Sequence, residues 1–340
     1  MIGTVLYFWI PNPADFYSGG NLYNAKLMEA LIENGQVVKR LDEEALKAMA
    51  PTLDEGVLFV DTLYLDTFQK LQENITFSIP TLLIVHHLES LFPPAGWSSA
   101  GFFATYEQSK LQLFSAFLCT SDFTRQYLLK QLGPKRYVVV PPATGFRAGS
   151  TFTKTDKIKA LLVANLVERK GILPFLKALM QQGGGEWLKR LSITIIGSFE
   201  LEPDYAEACT GLLDSKPEWQ ATITFKGALP HEATLSAYSD ANLFISTSFM
   251  ETFGMAIQEA LAFGLPVLAL DGGNTRNHNL ERRGRLFNDL PDLAYQLKRF
   301  CRNPKEWQQL QKSVKTAPSG PPYDWSQAAQ TLINQLRALM

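Results

Sequence analysis

The stretch Asn242-Leu243-Phe244-Ile245-Ser246-Thr247-Ser248, then Phe249-Met250-Glu251-Thr252-Phe253-Gly254, then Met255–Phe263 and Gly264-Leu265-Pro266 reads as strand, glycine-containing loop, helix and stop. Its first part is a short apolar run, as a strand covered on both faces requires. The loop can present backbone N–H groups at the helix start, so a diphosphate held near Thr252, Phe253, Gly254 and Met255 would meet aligned donors and the positive helix end. Glu251 precedes the helix and Glu259 lies within it, and acceptor-only carboxylates suit the vicinal hydroxyls of a sugar and a ribose. The same residues also fit a plainer role, with Glu251 favouring the helix electrostatically and Glu259 solvated on an amphipathic face.

Outward from this stretch the same alternation continues. Strands are expected at Lys159–Ala164, Ser192–Gly197, Thr222–Lys226 and Pro266–Leu270, with helices near Leu173–Gln182, Pro203–Ser215 and His231–Ser239. Helices near Pro291–Arg302 and Lys305–Thr316 follow, then a proline-rich break from Pro318 to Pro322 and a last helix from about Ser326 to Ala338. The first half repeats the order, with strands at Thr4–Ile10, Val37–Leu41, Val57–Leu63, Thr81–His87, Ala116–Ser121 and Tyr137–Pro141, and a first helix from about Leu22 to Glu33 ending at Asn34-Gly35. Short β-rich runs alternating with amphipathic segments build parallel sheets with helices on both faces, so the fold class is α/β with two doubly wound, Rossmann-like domains. The boundaries expected are 1–145 and 151–318. The aperiodic segment from Ala143 to Thr151 serves as linker and hinge.

Composition agrees with a packed two-domain protein: 340 residues exceed what one core usually supports. A net charge of -1 from 32 basic and 33 acidic residues, interspersed, leaves no footprint for nucleic acid. Cys119, Cys209 and Cys301 lack the close spacing of a zinc site or disulfide framework, which fits a reducing, cytoplasmic location. The start, Met1 to Ile10, reads as a strand rather than a leader, and no apolar run approaches the ~20 residues of a membrane span. Peripheral membrane contact stays open.

Two such halves would place the carboxyl ends of their strands on either side of a cleft, where ligands of open parallel sheets bind. In the first half, Phe16-Tyr17-Ser18-Gly19-Gly20-Asn21 sets a glycine pair before a helix, suited either to an anion or sugar oxygen or simply to a tight turn. It is not a dinucleotide fingerprint, and no acidic residue clearly ends the second strand. His86 and His87 follow Leu82-Leu83-Ile84-Val85 at a strand end, where a polar ring either bonds a substrate hydroxyl or is satisfied by loop carbonyls. Trp97, Phe102 and Phe103, after Pro93-Pro94, fit core packing or an acceptor or membrane-facing surface.

The block from Asn242 to Pro266 resembles the signature of glycosyltransferase family 4, in which a Glu, seven residues and a second Glu span loop and helix. The likeness extends through Phe225-Lys226-Gly227, through Val267 and Gly272-Gly273-Asn274, and through Val163 to Gly171, which is similar to the family's loop with a phosphate-binding Arg and Lys. Lys170 falls at the lysine position. Asn165 stands where the family has arginine, with Arg169 as a nearby cation. Gly19-Gly20 resembles the acceptor-side loop, His86 the cleft histidine, and Tyr323-Asp324-Trp325 with the last helix, 324–340, an ending that crosses back to the first domain.

The resemblance implies a GT-B fold, two Rossmann-like domains facing a central cleft, and retaining transfer of a sugar from a nucleoside-diphosphate sugar to a glycan, lipid or small-molecule acceptor. It implies no cofactor and no metal, in keeping with the lack of an Asp-x-Asp motif. Lys170 and the N–H groups after Glu251 would stabilise the departing diphosphate, Glu251 would orient the sugar, Glu259 the ribose, and His86 the sugar or acceptor. Domain closure would exclude water. Rival readings are a sugar-nucleotide epimerase, a glycan phosphorylase, for which no pyridoxal-type lysine is identified, and a non-catalytic partner subunit suggested by Asn165.

Overall fold

A computed structural model describes residues 4–12, 18–144, 157–214, 216–316 and 323–337, and the chain divides into two compact units. One comprises Met1–Gly145 with Tyr323–Met340, the other Phe146–Pro322. The expected linker lies mostly outside the described residues, as do Phe16 and Tyr17 of the first glycine loop, the break from Pro318 to Pro322 and the ends of the chain.

The first unit runs β1 (Val5–Trp9), α1 (Gly19–Glu33), β2 (Val37–Leu41), α2 (Glu43–Met49), β3 (Val57–Asp61), α3 (Leu65–Gln72), β4 (Thr81–Val85), α4 (Ser99–Phe102), α5 (Gln108–Gln112), β5 (Ala116–Cys119), α6 (Asp122–Leu132) and β6 (Arg136–Val139). The second runs β7 (Ile158–Val163), α7 (Ile172–Gln181), β8 (Leu191–Ile196), α8 (Pro203–Gly211), α9 (Pro217–Gln220), β9 (Ile223–Phe225), α10 (His231–Asp240), β10 (Leu243–Ser246), α11 (Met255–Ala262), β11 (Val267–Leu270), β12 (Gly284–Phe287), α12 (Leu290–Arg302) and α13 (Pro304–Thr316). The last helix, α14 (Trp325–Arg337), belongs to the first unit.

Each unit holds one six-stranded sheet, in the orders β2-β1-β3-β4-β5-β6 and β12-β11-β10-β7-β8-β9, and every strand pairing is parallel. The continuous apolar runs follow from burial on both faces. In the second unit Ala160, Leu162, Leu243, Ile245, Leu268 and Leu270 enter one core, while the alternate residues Leu161, Phe244, Val267 and Ala269 enter the other.

Several expected boundaries shift for local reasons. α1 begins at Gly19 rather than Leu22, because Ser18 caps it by accepting from the Asn21 N–H at 3.1 Å. β2 is an edge strand, largely exposed rather than covered on both faces, and Lys39 and Arg40 keep that edge charged. Asp42 directly follows it, but its carboxylate caps α2 by accepting from Ala45 at 2.8 Å. β12 is an additional strand; its sequence Gly284-Arg285-Leu286-Phe287 lacks an apolar run because it too lies at a sheet edge. Phe102 and Phe103 are core residues, whereas Trp97 is exposed and meets Tyr106 edge-on at 5.2 Å.

α14 packs its buried stripe of Ala328, Ala329, Leu332, Ile333 and Leu336 into the first unit. There Gln335 bonds both the N–H and the carbonyl of Val139, and Trp325 meets Tyr23 edge-on at 5.6 Å. No helix among the described residues is long and apolar enough to cross a membrane.

Candidate functional site

Strand order in the second unit reverses between β7 and β10, and open parallel sheets collect ligands beyond the carboxyl ends of strands at such a point. The loops leaving those two strands are laced together. The Thr247 hydroxyl donates to the Lys170 carbonyl at 2.5 Å, and the Phe249 N–H to the Arg169 carbonyl at 2.9 Å. Gly171, at φ 66°, ends the short turn Glu168–Lys170; a side chain there would collide with the Thr247 carbonyl. This lacing brings the Lys170 Nζ within 2.5 Å of Glu251 Oε1, each side chain only 14% exposed.

Burial alone would push the Glu251 carboxyl up. Lys170, then Arg169, then hydrogen bonds from Lys170 and Ser248 outweigh it and hold the group below the usual carboxylate range. Burial lowers the Lys170 pKa and Glu251 opposes that effect. The pair is therefore a desolvated charge pair, sensitive to any third charge.

Beyond Glu251, Gly254 is the N-cap of α11 at φ 95° and supplies no side-chain cap, so the first N–H groups of the helix are left to other acceptors. Glu259, on α11, is 8% exposed and lies 3.0 Å from His231 Nε2, which corrects the plainer expectation of a solvated residue. Asn165 is engaged within the unit: its Oδ1 accepts from the Ser198 N–H at 3.0 Å and pins the loop after β8. The second unit encloses beside Glu251 and Gly254 a cavity of only about 10 Å³, room for a water.

In the first unit the reversal falls between β1 and β3. Asp61, the last residue of β3, and His86, just past β4, converge there on Asn24 of α1. The Asn24 amide donates to Asp61 Oδ2 at 2.6 Å, and Asn24 Oδ1 lies 2.9 Å from His86 Nε2. An amide oxygen only accepts, so His86 carries its proton on Nε2. Asp61 Oδ2 is 3.4 Å from the same nitrogen. Burial lowers the His86 pKa, and Asp61 works against that shift. Gly20, in the first turn of α1, lies against the ring: a Cβ there would be 3.1 Å from His86 Cγ. The histidine is thus a neutral, oriented hydrogen-bonding group beside a glycine-opened helix.

Residues 148–316 match the family model described as glycosyl transferases group 1. They form a glycosyl transferases group 1 domain. A stretch of 56 residues is 41% identical to a GDP-mannose-dependent alpha-mannosyltransferase of Mycobacterium tuberculosis, covering 16% of this chain and 15% of that protein. The chain therefore spans a small part of this relative in sequence. Over nearly full length the fold is similar to sucrose-phosphate synthase from Thermosynechococcus elongatus, with TM-score 0.73, 18% identity and 99% of each chain covered. It is likewise similar to Anabaena HepE in complex with UDP and glucose, with TM-score 0.69, 14% identity, and 98% and 99% covered. These likenesses establish the fold as α/β of the GT-B type, with two Rossmann-like units.

Within the group 1 domain the structure brings Lys170, Arg169 and Glu251 together and sets Thr252, Phe253, Gly254 and Met255 at the head of α11. Sequence reasoning missed the partners that fix these groups: His231 beside Glu259, Asn274 and His278 beneath the Phe253 carbonyl, and in the first unit Asn24 and Asp61. Asp61 carried a readable signal, an acid ending an apolar strand. The others sit at positions that only tertiary packing defines.

Proposed function

We propose that the chain is a retaining glycosyltransferase that moves a sugar from a nucleoside-diphosphate sugar to a glycan, lipid or small-molecule acceptor. The observation that carries this reading is the buried Lys170–Glu251 pair at the switch point, next to the uncapped start of α11. Departure of a nucleoside diphosphate builds negative charge on phosphate oxygens. In this reading Lys170, with Arg169 near it, and the N–H groups at Gly254 and Met255 meet that charge in a desolvated setting, where each interaction is strengthened. Glu251, kept ionised by Lys170, accepts hydrogen bonds from the transferred sugar, and Glu259, steadied by His231, accepts from the ribose. Gly19, Gly20 and the neutral His86 serve sugar or acceptor hydroxyls in the first unit. None of these steps calls on a metal or other cofactor.

The names of the mannosyltransferase and of the HepE complex make GDP-mannose and UDP-glucose the first donors to supply. Release of nucleoside diphosphate from a panel of such donors, with and without acceptor, measures the activity. Lys170→Ala and Glu251→Ala are each expected to lose about 100-fold or more; undiminished release in both would sink the assignment. A second reading, a binding subunit without turnover, is favoured by one observation, the engagement of Asn165 with Ser198 where a cation was expected. Donor binding without release in the unsubstituted protein would select it.

A further inference from the structure

The carbonyl of Phe253 is held by two side chains from the turn that follows β11. Asn274 Nδ2 donates to it at 2.9 Å and His278 Nε2 at 2.6 Å. A carbonyl oxygen only accepts, so His278 carries its proton on Nε2. The Asn274 amide is oriented in turn, because its Oδ1 accepts from Asn277 at 2.7 Å. Asn274 also donates its backbone N–H to the Glu251 carbonyl at 2.7 Å, and the His278 ring meets the Phe253 ring edge-on at 5.4 Å. Asn279, at φ 52°, closes the turn Asn274–His278 in the left-handed region, a strained conformation for a residue with a side chain.

A planar trans peptide points its C=O and the following N–H in opposite directions. Anchoring the Phe253 carbonyl on Asn274 and His278 therefore turns the Gly254 N–H away from that turn, and this N–H has no acceptor among the described residues. Gly254 must be glycine for the same reason: at φ 95° an added Cβ would lie 2.9 Å from His278 Nε2.

We propose that Asn274 and His278 are positioning residues for the donor diphosphate, which fix the Phe253–Gly254 peptide so that the Gly254 N–H is presented to a phosphate oxygen. This rests on the donor-site reading above. Neither side chain touches the ligand; both act through the peptide they anchor. Burial lowers the His278 pKa, which suits a neutral Nε2–H donor.

The test is titration calorimetry of the full chain with UDP and GDP, together with the amide resonance of ¹⁵N-labelled Gly254. His278→Ala is expected to weaken the diphosphate that binds by about 10- to 100-fold, the range of one charge-assisted hydrogen bond. It should also abolish the shift of the Gly254 amide on titration. His278→Gln, which keeps an N–H donor, should restore both. His278→Phe keeps the ring against Phe253 without the donor and should behave as the alanine variant, which preserves the test where alanine does not fold. Unchanged affinity with a retained Gly254 shift in the donorless variants overturns the proposal alone. If the unsubstituted protein binds neither diphosphate, the donor-site reading itself falls, and the proposal with it.

Discussion

The two units use the same parallel sheet and the same reversal of strand order, yet they fill the reversal with opposite chemistry. In the group 1 domain it holds a desolvated ion pair, Lys170 with Glu251, and the glycine-opened head of α11. In the first unit it holds a histidine whose pKa is lowered by burial, tied through Asn24 to Asp61. A charged pair can rearrange around an arriving anion, because the largest favourable interaction of each partner is with the other. A neutral hydrogen-bonded ring keeps one orientation and offers directional contacts to hydroxyls. Fold alone therefore does not assign the halves their roles; the side chains placed at the strand ends do.

The largest expected effect tests the charged half. Lys170→Ala leaves Glu251 buried with Arg169 nearby and a hydrogen bond from Ser248 as its remaining support, and breaking a buried pair in this way costs about 3–5 kcal/mol. Replacing both, as Lys170→Met with Glu251→Leu, removes the unpaired charge and should recover most of that loss. Denaturant unfolding of the singles and the double closes the cycle. Additive losses would mean that the two groups do not depend on one another, and the contrast with the neutral half would lose its basis.

A smaller effect tests the neutral half. Asp61 accepts from the Leu63 N–H through Oδ1 at 2.9 Å and from Asn24 through Oδ2. Asp61→Asn keeps one acceptor and sets an amide donor against the other N–H, which costs about 1–3 kcal/mol for an unsatisfied buried group. Asp61 also raises the His86 pKa against burial. Its loss should lower that pKa further, as followed by the ring proton shifts. The sign for stability follows. With the folded His86 pKa below its ordinary value, the contribution of the neutral ring is fully present above about pH 6.5 and fades as pH falls through the folded pKa. Asp61→Asn should move that loss to lower pH. A rise of the His86 pKa in the variant would contradict the geometry.

Much of this was legible in the sequence, for a physical reason. Strands buried on both faces are largely apolar, so β1, β3, β4, β10 and β11 stand out, and the loop after β10 announces itself by Glu251 and Gly254 before a helix. The edge strand β12 was not legible, because one open side lets Arg285 into a run that would otherwise be apolar. Nor were the supports. Asn24, His278 and His231 act through partners 37, 25 and 28 residues away in the chain, distances over which no local period carries information. For Glu259 a solvated residue stood as the plainer alternative to the ribose reading, because its neighbours on α11 do not reveal His231 on α10.

The smallest expected difference compares the two helix-opening glycines. Gly20 lies within α1 with no left-handed φ, so alanine gains up to about 1 kcal/mol in helix propensity. Against this stands a Cβ placed 3.1 Å from His86 Cγ, which the ring can relieve by moving a few tenths of an ångström. The net change for Gly20→Ala should stay within about 1 kcal/mol in either direction, while the displaced ring appears in the His86 proton shifts. Gly254 is different: at φ 95° a side chain is strained by about 1–2 kcal/mol before its contact with His278 is counted. Thermal unfolding of the two alanine variants measures the gap. If Gly20→Ala falls as far as Gly254→Ala, then the His86 cluster cannot yield, and the neutral half is as rigidly set as the charged one.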